Sequence, residues 1–333
     1  MKVIQIGYGY WGANVARNLA ASDKFEFYAL CEQLPSRAAK ARSVLPESVR
    51  ITDDYDALLR DDSVEGVVIV TQTENTFALG MKAMDAGKHV FMEKPIATTV
   101  ERAEKLKAKA EETGLVLHCD HLMLYNPVIR YIKNMIDTGE LGDLEYVDVS
   151  RINLGVVRKD VNALLDLAVH DIAVIDYLSG GKEPLALSAM GETPFGRREA
   201  LTYLTMQYDG FLAHIKSSWV SPIKERRMMI GGSKKMVIFD DMKQADKLAI
   251  YDCGIEVKQG DEYGQYEFLS RVGDIRIPYI PFEDSLRNSL EHFAHCAQTN
   301  TQSLSGPNQS LRVMRILEAA QKDLEEIKWK RSL

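Results

Sequence analysis

The sequence predicts an α/β chain in two parts: a doubly wound parallel sheet over the first 120 or so residues, then an α+β domain on a large, mostly antiparallel sheet. Three observations carry that expectation. Up to about residue 120, short apolar runs alternate with amphipathic stretches; a glycine-rich turn joins the first run to the first helix; and the later chain breaks into strand-length runs separated by turn residues such as Asp209-Gly210 and Gly231-Gly232. With 333 residues there is length for two domains, read as 1–120 and 121–333, the last helix (about 307–327) being free to pack back on the first.

In chain order, the expected parallel strands are Val3 to Ile6, Phe25 to Cys31, Gly66 to Thr71, His89 to Glu93 and Leu115 to Cys119. Helical patterns lie between them at about 36–45, 54–60, 76–86 and 98–113. Thr98-Thr99-Val100-Glu101 forms a capping box for the last of these, and Gly87 and Gly114 stop two of them. A helix near 126–138, with Pro127 in its first turn and Gly139 at its end, leads into the long run Leu144 to Asn153. Asn162 could cap a helix from Ala163 to about Leu178, ended by Ser179-Gly180-Gly181. Strand-length runs follow near 185–192, 200–208, 211–219, 226–231, 235–239 and 247–251. Gly306-Pro307-Asn308 opens a closing helix in which Leu311, Met314, Leu317, Ala320 and Leu324 recur at helical spacing.

Composition narrows the function classes. Hydrophobic residues make up 46% and charged residues 27%, no apolar stretch approaches the ~20 residues of a membrane span, and no leader pattern precedes Val3; a cytoplasmic protein is expected. Cys31, Cys119, Cys253 and Cys296 are scattered, without C-x-x-C or histidine companions, so they read as reduced thiols and no metal site is expected. A net charge of −7 excludes a nucleic-acid surface, and the lysines at 105, 107 and 109 share their helix with Glu101, Glu104 and Glu111.

The turn Gly7-Tyr8-Gly9-Tyr10-Trp11-Gly12 is where a dinucleotide pyrophosphate would sit. Gly7 permits the tight turn, Gly9 the approach of phosphate, and Gly12 the packing of helix on strand. About 20 residues on, Glu32 ends the second run, where a ribose 2′-hydroxyl needs an acceptor, so NAD is expected over NADP; an NADP preference would point to Arg37 or another base.

Glu93-Lys94-Pro95 follows the strand at His89, on the edge where open α/β sheets bind ligands. Like charges ~5 Å apart repel by about 3 kcal/mol at an effective dielectric near 20, which moves an amine beside a cationic ring toward the range useful for shuttling protons. The alternative for Lys94 is a surface ion pair with Glu93. On the helix after Asn162, Asp166 and His170 are four apart, so the carboxylate can hold one imidazole nitrogen while the other acts as acid or base; the alternative is a buried, hydrogen-bonded core histidine. Asp171 lies about 100° round, to cap, pair or contact a substrate hydroxyl. Arg151, Asn153 and Arg158 fall in the segment before that helix, able to recognise an anionic substrate group or merely to pair with Asp148 and Asp160.

Taken together, the glycine motif, Ala86-Gly87-Lys88-His89-Val90 leading to Glu93-Lys94-Pro95, and Asp166-Leu167-Ala168-Val169-His170-Asp171 resemble the glucose–fructose oxidoreductase, inositol dehydrogenase and MocA family over nearly the whole chain. Asp137-Thr138-Gly139-Glu140-Leu141-Gly142 and the closing helix extend the likeness. The resemblance implies a Rossmann domain followed by an α/β domain with an open sheet, through which members form dimers or tetramers. It makes Lys94 the lysine near the nicotinamide and the reacting hydroxyl, and His170, with Asp166 beside it, the other acid/base group. Thr71 and Glu93 would border the cofactor. The stretch Thr71-Gln72-Thr73-Glu74-Asn75 departs from the family's usual Thr-Pro pair and nearby histidine, which bears on cofactor grip and substrate choice. Arg151 to Gly155, Arg158 and Asn162-Ala163-Leu164 resemble the branch that oxidises the 3-hydroxyl of UDP-linked N-acetylglucosaminuronate.

The expected activity is therefore hydride transfer between a ring secondary alcohol of a sugar or sugar nucleotide and NAD, with the substrate between the two domains. A dehydrogenase of free polyols, inositols or other glycosides is the alternative among enzymes. From another class, a dinucleotide-binding regulator would have no use for both Lys94 and His170.

Overall fold

A computed structural model describes residues 1–158, 161–196, 198–259 and 266–332. The chain divides into two units, Met1–Asn126 with Glu283–Arg315, and Pro127–Phe282 with the segment from Ile316 onward. The return of 283–315 to the first unit departs from a single boundary near residue 120.

The first unit runs β1 (Lys2–Ile6), α1 (Tyr10–Ala21), β2 (Glu26–Cys31), α2 (Pro35–Val44), β3 (Arg50–Thr52), α3 (Tyr55–Leu59), β4 (Gly66–Ile69), α4 (Thr73–Asp85), β5 (His89–Met92), α5 (Val100–Thr113) and β6 (Leu117–Cys119). These strands are parallel in the order β3-β2-β1-β4-β5-β6, the winding in which ligands bind outside the carboxyl ends, where the order reverses between β1 and β4. The doubly wound reading holds, with β3 added at one edge. The cap of α5 sits one residue later than the capping box implies: Thr99 Oγ1 accepts from Arg102 N at 3.3 Å, while Thr98 takes the Arg102 side chain. Gly114, at φ +67°, ends that helix in the left-handed region.

The second unit holds α6 (Pro127–Asp137), β7 (Leu144–Leu154), a π-helical turn (Leu164–Ala168) running into α7 (Val169–Leu178), β8 (Ala186–Glu192), β9 (Leu201–Gln207), β10 (Leu212–Ser218), β11 (Val220–Gly232), β12 (Met236–Asp240), β13 (Leu248–Gln259) and β14 (Tyr266–Arg276). Its sheet has the order β14-β13-β12-β11-β7-β10-β9-β8 and is antiparallel except between β7 and β10, as the strand-length runs predict. Gly231 and Gly232, read as a turn, close β11 instead. A Cβ at 231 would stand 2.1 Å from the Tyr146 ring, so small residues are required there by packing. Alternate residues such as Val147 and Val149, Leu204 and Met206, and Ala213 and Ile215 are buried, giving the sheet one covered face. Val169, Ile172, Ala173, Val174, Ile175 and Leu178 bury α7 on nearly all sides.

Two further helices follow, α8 (Ser285–Thr299) and α9 (Pro307–Ser332). Asp284 caps α8 through Leu286 N at 3.0 Å. Leu286, Leu290, Phe293 and Cys296 of α8 join Val3, Phe27, Val68 and Phe91 in one buried cluster, so this late helix completes a face of the parallel sheet. On the other face, Gly80 of α4 lets the helix close on Met92 and Leu106. Among the described residues no helix is long and apolar enough to cross a membrane.

Candidate active site

The glycine-rich loop is held from inside the sheet. Gln5, buried on β1, donates through Nε2 to the carbonyls of Gly7 and Gly12, each at 2.8 Å. Gly7 has φ +93°, and a Cβ there would lie 2.3 Å from Val70 O; at Gly12 it would lie 2.6 Å from Gly7 O. Both glycines are thus demanded by the fold. Gly9 is different, because the nearest atom to a Cβ there is Arg37 Nη1 at 3.9 Å. Nothing in the chain needs that position bare, and it sits at the N-cap of α1, where no side chain caps the first N–H groups. An open cradle facing unsatisfied donors is what a pyrophosphate requires, so the loop fits a dinucleotide.

Glu32 stands directly after β2, as the spacing predicts, but its carboxylate has work within the protein. Oε2 accepts from Tyr8 N at 2.7 Å and Oε1 from Leu34 N at 2.9 Å, tying the loop to the end of β2. Each oxygen keeps a second lone pair for a ribose hydroxyl. The exposed Arg37 guanidinium lies beside Gly9.

At the same sheet edge the ladder continues past the strands. Glu93 N donates to Ile69 O at 3.1 Å and Asp120 N to Met92 O at 2.8 Å, which brings the residues after β5 and β6 side by side. The half-buried Lys94 follows Glu93, with a cis peptide to Pro95. Glu93 Oε2 accepts from Lys94 N at 3.2 Å, while Glu93 Oε1 and Asp120 Oδ2 are shielded from solvent. Burial, and then the charge of Asp120, raises the Glu93 carboxyl well above the ordinary range. Burial pushes Asp120 up to about 6, against hydrogen bonds with Ser289, the Glu93 carboxyl and the Trp11 indole and the pull of Lys94. Two carboxyls this close cannot lose their protons independently. Next in the chain, His121 is buried and pushed down to about 3, first by burial and then by Lys94, so it is a neutral imidazole there.

Neither Asp120 nor His121 was singled out for chemistry from the sequence. The signal was the strand register: Met92 pairs with Cys119, so the acids following β5 and β6 had to be neighbours.

In the second unit, Asn162 caps the expected helix, its Oδ1 accepting from Leu165 N at 3.0 Å, while Nδ2 donates to Glu199 and Gln321. The turn that follows, Leu164–Ala168, is π rather than α. Asp166 accepts from Trp219 Nε1 and Arg158 Nη1, both at 3.2 Å. His170 is half-buried at the start of α7, with Nδ1 inside.

Arg151 and Asp171, both expected at the substrate, bind each other: Nε to Oδ2 at 2.8 Å and Nη2 to Oδ1 at 2.6 Å, with side chains 11% and 1% exposed. This bidentate pair ties β7 to α7, because a carboxylate this deeply buried requires a partner. Of the substrate candidates, Asn153 is half-buried at the end of β7 and Arg158 half-exposed beyond it. Asp160, one of the expected pairing partners, lies outside the described residues.

Residues 1–121 match the model of the oxidoreductase family with an NAD-binding Rossmann fold, and residues 129–238 that of the GFO/IDH/MocA C-terminal domain. The chain is 30% identical to UDP-N-acetylglucosamine 3-dehydrogenase of Acidithiobacillus ferrooxidans, over 69% of its own length and 71% of that protein's. It is 25% identical to scyllo-inositol 2-dehydrogenase (NADP(+)) IolW of Bacillus subtilis, over 98% and 94%. A solved structure of the first enzyme, GnnA, superposes with a TM-score of 0.81 at 25% identity, covering 98% of both chains.

Proposed function

The chain belongs to the GFO/IDH/MocA family of NAD-binding oxidoreductases, and from that premise we propose that it is a dehydrogenase of a ring secondary alcohol in a sugar or sugar nucleotide. The observation that carries this reading is the setting of Lys94, an amine at the carboxyl edge of the parallel sheet beside two carboxyls that can take up its proton.

When bound, the nicotinamide ring supplies the hydride acceptor or donor. Gly9 and the first turn of α1 would hold the pyrophosphate, Glu32 the adenosine ribose, and Thr71 and Glu93 would border the ring. Lys94 holds the proton at the substrate oxygen; Glu93 and Asp120 fix its charge. His170 is the second acid/base group, Asp166 keeps its imidazole oriented, and Asn153 and Arg158 recognise the substrate. With Asp171 engaged, Arg151 acts by positioning β7.

The finer reading is oxidation at the 3-hydroxyl of a UDP-N-acetylhexosaminuronate or related nucleotide sugar, supported by the relative that is named for 3-dehydrogenation of UDP-N-acetylglucosamine. A free polyol or inositol is the second reading, supported by the scyllo-inositol enzyme. NAD is proposed from Glu32, with Arg37 the residue that would admit NADP. A second copy of this chain, in the cytoplasm, would cover the open sheet face, where Ile255, Phe268, Val272 and Ile275 are exposed, giving a dimer or tetramer.

The test is a panel of nucleotide sugars, free sugars and inositols followed by NADH absorbance in wild type, Lys94→Ala and His170→Ala. Turnover on a nucleotide sugar, lost by about 10²-fold or more in both variants with dinucleotide binding intact, is expected. Near-normal turnover in both refutes the roles, and turnover confined to inositols selects the second reading.

A further inference from the structure

A line of hydrogen bonds leaves Asp120 in the direction away from Lys94. Ser289 Oγ, on α8, donates to Asp120 Oδ1 at 2.8 Å; His118 Nε2 lies 3.0 Å from Ser289 Oγ; and Ser303 Oγ lies 2.9 Å from His118 Nδ1. Asp120, His118 and Ser289 are wholly buried, whereas Ser303 is half-buried. Ser305 Oγ, 3.2 Å from His118 Nε2 and 3.0 Å from Tyr125 OH, forms a side branch. The surroundings are apolar: Phe91 stacks on the His118 ring at 4.7 Å and Phe293 meets it edge-on at 5.9 Å. A buried polar file in such a place is costly unless every member is bonded, and here each link is made.

We infer that Ser303, His118, Ser289 and Asp120 form a proton relay connecting the half-buried Ser303 hydroxyl with the carboxyl pair beside Lys94. The inference deepens the proposed function and rests on Lys94 as the acid/base group there. The polarity of the file follows from valence. When Asp120 is ionised, Ser289 can only donate to it, so His118 Nε2–H must donate to Ser289, and the bare Nδ1 accepts from Ser303. Every donor then points inward. A proton enters at Nδ1 and another leaves at Nε2, a tautomer exchange that needs no cation; between turnovers Nδ1–H passes to Ser303, Ser303 to Tyr125, Tyr125 to Ser305 and Ser305 to Nε2, one bond to hydrogen broken and one formed at each link, which restores the starting tautomer. Burial, with His292 and His121 nearby, holds His118 well below the ordinary histidine range, consistent with a neutral carrier.

In the ketone-reducing direction the Lys94 N–H breaks as an O–H forms on the substrate, and a carboxyl O–H of the pair breaks to restore the ammonium. Ser289 then gives its proton to Asp120, His118 Nε2 to Ser289, Ser303 to His118 Nδ1, and a buffer acid to Ser303. Each link breaks one bond to hydrogen and forms another, electron pairs stay on their heavy atoms, and one proton passes from solvent to the substrate oxygen. Alcohol oxidation runs the file backwards from the other tautomer. The titratable groups facing the carboxyl pair are Lys94, His121 and Cys119; those facing His118 are His292, His121 and Tyr125.

The first experiment needs no turnover: ¹⁵N spectra of His118 in the wild-type protein between about pH 5 and 8. A neutral Nε2–H ring that converts to the Nδ1–H tautomer as the carboxyl pair takes up its second proton is expected; a single tautomer throughout, or a cation, overturns the relay. The second compares Ser289→Ala with Lys94→Ala on the best substrate of the panel. Ser289→Ala should lower kcat about tenfold with KM values nearly unchanged, enlarge the solvent isotope effect, and be partly rescued by imidazole buffer, a restoration that a packing defect would not show. An inactive Lys94→Ala beside a Ser289→Ala with wild-type rate and isotope effect overturns the relay alone. A fully active Lys94→Ala removes the proposed function, and the relay with it.

Discussion

Gly9 and Gly12 belong to one motif, but the structure assigns them opposite debts, and alanine at each separates ligand from fold. At Gly12 the new methyl would stand 2.6 Å from Gly7 O, well inside contact distance and against backbone that Gln5 pins at both ends. Overpacking against backbone held at both ends falls in the upper part of about 1–3 kcal/mol, of which the better helix propensity of alanine returns up to about 1, leaving about 1–2 kcal/mol. Melting should fall by roughly 2–8 °C for a unit of this size. At Gly9 the backbone sits at φ −73° and ψ −165°, open to any residue, and the methyl meets nothing nearer than 3.9 Å. Loss of an N-cap glycine and reduced freedom of the unfolded chain nearly cancel, so stability should hold to within about 0.5 kcal/mol. The methyl nevertheless occupies the space a phosphate would enter, and a tenfold to hundredfold weaker dinucleotide is expected, about 1.4–2.8 kcal/mol. Differential scanning fluorimetry and calorimetric titration with NADH read the two effects separately. A folded Gly9→Ala protein that binds NADH like wild type would refute the cradle, and an unaltered melting temperature in Gly12→Ala would refute the packing argument.

Asp120→Asn should raise stability, and more so as pH rises. The folded carboxyl, lifted to about 6, binds its proton more tightly than in the unfolded chain, so its contribution is complete below about pH 4 and is lost on the way up to about 6. Asparagine still accepts from Ser289 but never ionises; the gain over wild type grows through that window, levels off above it, and is capped near 3 kcal/mol. Melting curves at several pH values check this, and a gain that shrinks with pH contradicts it. Arg151→Ala should cost about 3–5 kcal/mol in urea unfolding, because Asp171 is left buried and uncompensated, while the double change Arg151→Met with Asp171→Leu should recover most of it. Equal losses in the single and double variants would show that the pair is not what holds β7 to α7.

What the sequence disclosed and what it hid follow from the range of each signal. The parallel strands are legible because both faces are buried: Val67, Val68 and Ile69 of β4 form an unbroken apolar run, and the glycine motif marks where β1 turns into α1. β3 escapes because Arg50, Ile51 and Thr52 are too few to carry a period, and β14 because Phe268, Leu269, Val272 and Ile275 do not alternate and are exposed. α8 has helical spacing in Leu286, Leu290 and Phe293, yet no local pattern says which sheet a helix will cover. Its partner, Phe91, is about two hundred residues earlier.

The site divides along the same line. Lys94 was legible because strand, acid, lysine and proline follow one another in the chain; the acid it works beside was not, because Asp120 reaches Glu93 only through the pairing of β5 with β6. The same limit applies to the surroundings of Asp166. The donors that Asp166 accepts from, Trp219 and Arg158, stand 53 and eight residues away, and the π turn at Leu164–Ala168 leaves no mark in the composition. It also explains why Arg151 looked free: its partner is twenty residues on, across a strand and a turn. Residues whose chemistry depends on one neighbour in sequence can be named from the chain alone. Those that depend on a neighbour in the sheet, as the carboxyl pair and the file behind it do, become visible only when the register is known.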